Sequence, residues 1–407
     1  MRTKLTLLAL ILVGSVSAQT FTNYTTTDGL LNDNVNCLDV ASSDVLWFGT
    51  QSGVSVFDGV NWVGHTNATD PGLVDDNVLA IRVMSNGDVW VGTDFGACHF
   101  DGNSWTTYTT ADGLGNNQIK CIEEDASGNV WFGTNNGASY YDGNTWMNLG
   151  TADGLPFGGV TAINIDGNGD VWLGSGLGGI AIYNGTIGTM ITEANTGLVD
   201  DRIRGLRNDA NGNRWVGTSE GITVLDGSNN NIGYHTQMYT LPAPDTLNPI
   251  EDVEIDNSGN VWVGVYVDYL VTEGGVCAFD GNSWTEYHVS DGLVGPVVRA
   301  LAIDSQNDIW VATSSGVSRI SDHAVSVAEN NSESFSMYPN PASDVITIAY
   351  PENSMEGEVY IFNASMQLIE MLEFNNGAKK ISYDISHFSS GIYFIRTNGH
   401  LKKLIID

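Results

Sequence analysis

Six basic side chains stand at matched distances ahead of a recurring tryptophan: Arg82, Lys120, Arg202, Arg204, Arg207 and Arg299. The 407-residue chain carries a formal net charge of −33, so cations gathered into one part of each repeat call for a partner. Guanidinium groups pair bidentately with carboxylate or sulfate. The chemistry on offer is therefore capture of an anionic group, and the competing reading is pairing between neighbouring repeats. Counted back from the tryptophans, Arg204 and Glu251 share the eleventh position of adjacent repeats, Arg207 and Glu254 share the eighth, and so do Arg82 and Glu123. Lys120, flanked in its column by Leu79 and Thr161, has no such partner, and Arg202 and Arg299 are only partly covered.

A second set of residues suits docking. The insertions NIGYHTQMYTLPAPDTLN and VYVDYLVTEG bring Tyr234, His235, Tyr239, Tyr266, Asp268 and Tyr269 near Arg202 and Arg204 in the expected topology. Aromatic faces beside polar groups are what sugar rings or peptides rest on, and loops over a rigid scaffold commonly carry function. The plain alternative is that both insertions pack on their own aromatics.

Catalytic patterns are absent. The seven histidines show no HxH, HExxH or HxxxH pairing, and there is no GxSxG elbow or P-loop. Asp166-Gly-Asn168-Gly-Asp170 begins like a calcium loop, but its twelfth position is Leu177 instead of Glu, which favours a hairpin turn. No cofactor is expected, with calcium as the weak alternative. Cys37 and Cys121 fall where other repeats have Ala80, Ala162, Gly205 and Ala300. Cys98 and Cys277 share a column with Ser55, Ser139, Ala181, Thr223 and Ser318. Both columns favour a small side chain, which predicts unpaired packing cysteines and no metal site. The acidic surface would repel phosphates, so nucleic acid is a poor partner.

The elements that position these residues follow from the repeat. Trp47, Trp90, Trp131, Trp172, Trp215, Trp262 and Trp310 are separated by 43, 41, 41, 43, 47 and 48 residues. A period of this length built from short alternating strands predicts one four-stranded blade per repeat. In repeat three, IKCIEE, VWFGT, GASYY and TWMNLG are four strands joined by DASGN and DGN turns, where Gly and Asn supply positive φ. The seventh repeat ends near Ile320 without a fourth strand, while FTNYTTTDGL at residues 21–30 matches SWTTYTTADGL of repeat two. Residues 20–26 are therefore expected to complete the last blade. The fold expected is all-β, a seven-bladed β-propeller over 19–322 closed by the N-terminal strand.

These repeats resemble the two-component regulator propeller family, through the GL-x-(D/N)-N loop, the D-x-x-G-N turn, W-x-G-T and the G-x-x-x-(Y/F)-D-G hairpin. Such propellers are sensor parts of membrane-spanning regulators thought to recognise carbohydrate, whereas here no membrane-spanning, kinase or DNA-binding segment is read after them. The polar segment 323–334 is expected as a linker. Residues 335–407 alternate as a small Ig-like β-sandwich. Tyr338-Pro339-Asn340-Pro341, the run from Gly391 through Tyr393 to Phe394, and Lys402-Lys403 near the end resemble the C-terminal sorting domain of the type IX secretion system, with Met366 where the family usually has Gly. That resemblance implies export across the outer membrane of a Bacteroidetes-type bacterium, with the secretion machinery and a sortase-like peptidase as partners. At the other end, Arg2 and Lys4, the apolar run Leu5 to Val13, and Val16-Ser17-Ala18 predict a signal peptide over 1–18 and no membrane-spanning segment.

The expectation is a secreted or cell-surface propeller that recognises carbohydrate, in one form an anionic oligosaccharide, on its upper face over repeats five to seven. The candidate residues are Arg202, Arg204, Arg299, Lys120, Tyr234, His235, Tyr266, Asp268 and Tyr269. A structural or adhesive protein that binds a protein partner is the alternative. An enzyme similar to the seven-bladed streptogramin lyases is the third and least expected reading.

Overall fold

The computed structural model describes residues 19–241, 248–266, 274–321, 336–338, 340, 342–349, 359–363, 368–372, 380–397 and 400–406. The expected signal peptide and linker, Asp268, Tyr269, Pro339, Pro341, Met366 and the side chains of Lys402 and Lys403 lie outside this description. The chain divides into two compact units, residues 1–324 and 325–407.

In the first unit the described residues form seven four-stranded antiparallel sheets. Their first strands are Val35–Val40, Ala80–Val83, Ile119–Glu124, Val160–Ile165, Ile203–Asn208, Ile250–Ile255 and Val298–Ile303, here numbered sheets one to seven. Each first strand packs against the next, and that of sheet seven packs against that of sheet one. The fourth strand of sheet seven is Thr20–Tyr24, which pairs antiparallel with Gly316–Ser321 from Thr20 opposite Ser321 to Tyr24 opposite Val317. Tyr24 then stacks on Trp310, with ring centroids 5.5 Å apart.

The recurring tryptophans, all less than a tenth exposed, fill the space between sheets. Trp47 and Phe100 of neighbouring sheets meet at 5.8 Å, and Trp90 meets Phe132 edge-on at 5.2 Å. The Gly two residues after six of the seven tryptophans answers a steric demand, with Ala312 in that place after Trp310. A Cβ on Gly92 would run into Ile119 of the next sheet, and one on Gly264 would stand 2.6 Å from Val298.

Two columns of polar side chains fix the loops at the end where the first strands begin, called here the upper face. The threonine of the W-x-G-T motif donates to the carbonyl of the Gly three residues on, at 2.8 to 3.0 Å in Thr50, Thr93, Thr134, Thr218 and Thr313. On the third strand, Ser55, Ser139, Thr223 and Ser318 accept the amides of Leu31, Gly115, Val199 and Val294 in the loop entering the same sheet. Cys98 does the same for Val74 through its sulfur, so five of the seven positions in this column supply an acceptor, while Ala181 offers none and Cys277 donates to the Met238 carbonyl. Both kinds of upper loop are thus tied to the strands beneath them.

The second unit holds two sheets, one ordering Ser336–Tyr338, Val345–Ala349 and Lys380–Asp384, the other ordering Leu368–Leu372, Val359–Asn363, Gly391–Thr397 and His400–Ile406. Ile346, Ile348, Ile361, Ile395 and Leu404 form its core. Asn340 of the Tyr-Pro-Asn-Pro run accepts the Ile405 amide at 2.8 Å, and Ala342 donates to the Ile405 carbonyl at 2.9 Å, so this motif holds the last strand. Tyr338 is exposed at the sheet edge, and Tyr393 donates to the Ser389 carbonyl.

Candidate functional site

The first strands line a central channel with two rings of side chains. The upper ring takes the eleventh residue before each tryptophan: Asn36, Leu79, Lys120, Thr161, Arg204, Glu251 and Arg299. The lower ring takes the eighth: Asp39, Arg82, Glu123, Asn164, Arg207, Glu254 and Ala302. A cavity of about 200 Å³ runs along both rings, and one of about 480 Å³ opens below the lower ring toward Asn257 and Asp304.

In the lower ring the charges are paired between sheets, as their columns imply. Arg82 meets Glu123 at 2.6 Å and Asp39 at 3.9 Å, and Arg207 is ion-paired with Glu254. Burial raises the carboxyl pKa values of Asp39 and Glu123, with Arg82 opposing in both. Burial works against the Arg82 charge, but Glu123 and Asp39 more than offset it and raise its pKa. The sequence reading passed over Asp252, the one acid in the otherwise small tenth position. Its carboxylate accepts Val253 N at 2.8 Å and Leu301 N at 2.9 Å, which ties sheet six to sheet seven as Asp39 ties sheet one to Val83 of sheet two.

Burial pushes the Asp252 carboxyl up to about 6 against the opposing charge of Arg207. Because the folded-state value lies above the ordinary 3.8, the stability this group contributes is full below the unfolded value and is lost as pH rises through about 6. Asp252→Asn should remove a slope worth about 2 kcal/mol between pH 4.5 and 7.5. Chemical denaturation at pH 4.5 and 7.5 checks it, and parallel profiles for the two proteins would refute it.

In the upper ring the pairing is incomplete. Arg204 meets Glu251 at 2.5 Å and Ser219 Oγ at 3.0 Å, while Arg202 at the rim meets Asp200 at 2.8 Å and Glu220 at 2.9 Å. Two of the three arginines expected to bind a ligand, Arg202 and Arg204, are thus already engaged by carboxylates. Arg299 reaches only the amide oxygen of Asn36, at 3.3 Å, and its Nε is buried without a partner. Lys120 is exposed and has no hydrogen-bond or ionic partner among the described residues. The upper mouth therefore carries two cations with no acidic partner among the described residues, above a ring whose cations are matched.

The aromatic set is dispersed. His235 stacks on Trp215 at 5.5 Å and accepts from Trp284 Nε1 at 3.1 Å, so it is packing between sheets five and six, and burial lowers its pKa. Tyr239 is buried, with its hydroxyl on the Gly274 carbonyl at 2.7 Å and 2.8 Å from His288 Nδ1. Tyr234 is exposed on Asn231–His235, the outermost strand of sheet five, away from the channel. Tyr266 ends the second strand of sheet six, its amide on the Pro249 carbonyl. Among the described residues, Tyr234, His235 and Tyr239 thus do not line the channel beside Arg204 and Arg299.

The Asp166 loop is a turn: its carboxylate accepts the amides of Asn168 and Asp170 and Arg214 Nη2 at 2.7 Å. Arg214 lies 4.1 Å over the Trp172 ring. All four cysteines are free, and burial raises each thiol pKa.

Elsewhere on the upper face stand residues the sequence reading missed. Phe157 is 80 % exposed, Leu177 63 % and Phe95 61 %. The signal was available: Phe95 and Leu177 occupy turns between second and third strands where other repeats carry Gln51-Ser52, Asn135-Asn136 or Ser314-Ser315.

Residues 336–407 match the family described as secretion system C-terminal sorting domain, and residues 113–136 and 292–315 match the two component regulator propeller family. The chain thus carries regulator-propeller repeats followed by a type IX secretion sorting domain, which directs export across the outer membrane to the cell surface or extracellular space. No helix among the described residues is long and apolar enough to cross a membrane. Beta-agarase A of Zobellia galactanivorans is 31 % identical over 71 residues, which are 17 % of this chain and 13 % of that protein. PorZ, described as an essential bacterial surface component of the type-IX secretion system of Porphyromonas gingivalis, has a similar fold, with a TM-score of 0.58. The likeness, at 18 % identity, covers 93 % of this chain and 60 % of that one. A streptogramin B lyase structure also gives 0.58, at 14 % identity, over 74 % of this chain and 97 % of its own. At these identities the two structures speak to the fold alone.

Proposed function

We propose that the first unit is a seven-bladed propeller closed by its N-terminal strand, displayed outside the cell, and that it binds an acidic carbohydrate at the upper mouth of its channel. The observation that carries this reading is the contrast between the rings. The cations of the lower ring are matched by carboxylates, whereas on the same cavity Lys120 has no partner among the described residues and Arg299 meets only the Asn36 amide oxygen, in a chain of net charge −33. Cations left unmatched in so acidic a protein are suited to a carboxylate or sulfate brought by a ligand. A sugar supplies such groups on a soluble, extended body, and regulator-propeller repeats together with an export domain suit a receptor at the surface.

Lys120→Ala/Arg299→Ala in the full chain tests this. Wild-type protein with an acidic oligosaccharide at a hundred times its Kd gains about 2.7 kcal/mol, seen as a rise of a few degrees in Tm. The double variant should show no rise with oligogalacturonate or a sulfated galactan, and neither protein should respond to a neutral galactan. An unchanged shift in the variant would sink the proposal.

A further inference from the structure

The exposed apolar residues of the upper face do not scatter; hydrogen bonds and close packing link them through a polar strip that includes Gln118, two residues before Lys120. Asp94 beside Phe95 accepts from Gln118 at 3.4 Å, and Gln118, two residues before Lys120, accepts from Asn135 Nδ2 at 2.6 Å. Gly159 lies against the backbone of Asn135, Gly158 lies against Leu177, and Ser175 Oγ donates to the Phe157 carbonyl. An apolar rest over sheet two, an amide strip with a free ammonium over sheet three, and a paired apolar rest over sheet four thus form one continuous track.

We infer that this track is the floor on which an extended acidic glycan lies, with Phe95 under one sugar ring, Phe157 and Leu177 under another, and Lys120 paired to a carboxylate or sulfate between them. The inference rests on the function proposed above and moves its centre from sheets five to seven, where Arg202 and Arg204 are already engaged, to sheets two to four. Sugar rings have apolar faces and hydroxyl edges, so they suit apolar rests alternating with side-chain amides. A purely apolar partner would leave Gln118, Asn135 and Lys120 desolvated without replacement bonds. The acid Asp94 in the track is held by Gln118, whereas Lys120, its one cation, has no partner among the described residues and is left for an acid on the ligand.

Calorimetric titration of the full chain with oligogalacturonate and with a sulfated galactan oligosaccharide tests the assignment in five proteins: wild type, two track variants, a control variant and Lys120→Ala/Arg299→Ala. Phe95→Ala and Phe157→Ala/Leu177→Ala should each weaken binding about tenfold. Val60→Ala is the control: Val60 is 82 % exposed, but in a turn at the lower end of sheet one, and it should bind as wild type. All three sites are exposed, so unchanged Tm values without ligand should accompany the losses. If the track variants bind like wild type while Lys120→Ala/Arg299→Ala does not bind, the sugar sits in the channel alone; the inference fails and the proposed function stands. If no protein binds either glycan, both fall. Loss of a polypeptide partner from the track variants with glycan titrations unchanged would assign the surface to protein and overturn the inference.

Discussion

Arg207→Met is expected to lower the unfolding free energy by about 3 kcal/mol or more, because it leaves buried acids without their counter-charge. Arg207 is ion-paired with Glu254 and opposes the burial-raised carboxyl of Asp252, and both acids face the narrow channel beside it. Methionine keeps the length of the side chain and supplies no charge. Arg207→Met/Glu254→Met should be closer to wild type than the single variant, since an apolar pair of similar volume replaces the whole ion pair. Urea denaturation at pH 7.5 measures both, and a single-variant loss under about 1 kcal/mol would show that channel water already screens the pair.

The second large effect is steric. A Cβ at Gly133 would collide with Cys121 Sγ, its cross-strand partner, and stand 2.7 Å from the Val160 carbonyl of the next sheet. Gly133→Ala should cost about 3 kcal/mol, the upper range for overpacking a well-filled core, because a backbone oxygen cannot move aside cheaply. Sheet seven shows what relief looks like: there the same cross-strand pair is Ala300 with Ala312. Adding Cys121→Ala to Gly133→Ala should therefore recover part of the loss, leaving the share due to Val160. Additive losses in the double variant would mean that the thiol is not the obstacle.

The repeat was open to reading because steric rules write it into sequence. Trp at intervals of 41 to 48 residues, Gly two places on and Asp-Gly turns each answer a local constraint, and four strands per repeat follow from alternation. Column alignment also foresaw the pairs Arg82 with Glu123, Arg204 with Glu251 and Arg207 with Glu254, since residues at equal height on adjacent first strands must meet. The aromatic site was misjudged for the opposite reason. Whether a side chain in an insertion faces the channel, a neighbouring sheet or water depends on the path of the loop, which has no period. His235 thus went to Trp215 and Tyr239 into the core, while Phe95 and Phe157 stayed outside. Arg202 looked available until Asp200 and Glu220 were brought to it by the turn geometry at the rim.

The pairing of Thr20–Tyr24 with the last strand of the same unit has a kinetic meaning. Thr20 and Ser321, whose hydroxyls lie 2.7 Å apart, are separated by 301 positions. Bringing ends so distant together costs on the order of 5 kcal/mol in chain entropy, and contacts of this range are what make a topology slow to form. A ribosome delivers one partner first and the other after six sheets have been made. Thr20–Tyr24 therefore has no strand to pair with until Gly316–Ser321 has been made, and its ladder of hydrogen bonds records that the polypeptide has been completed that far.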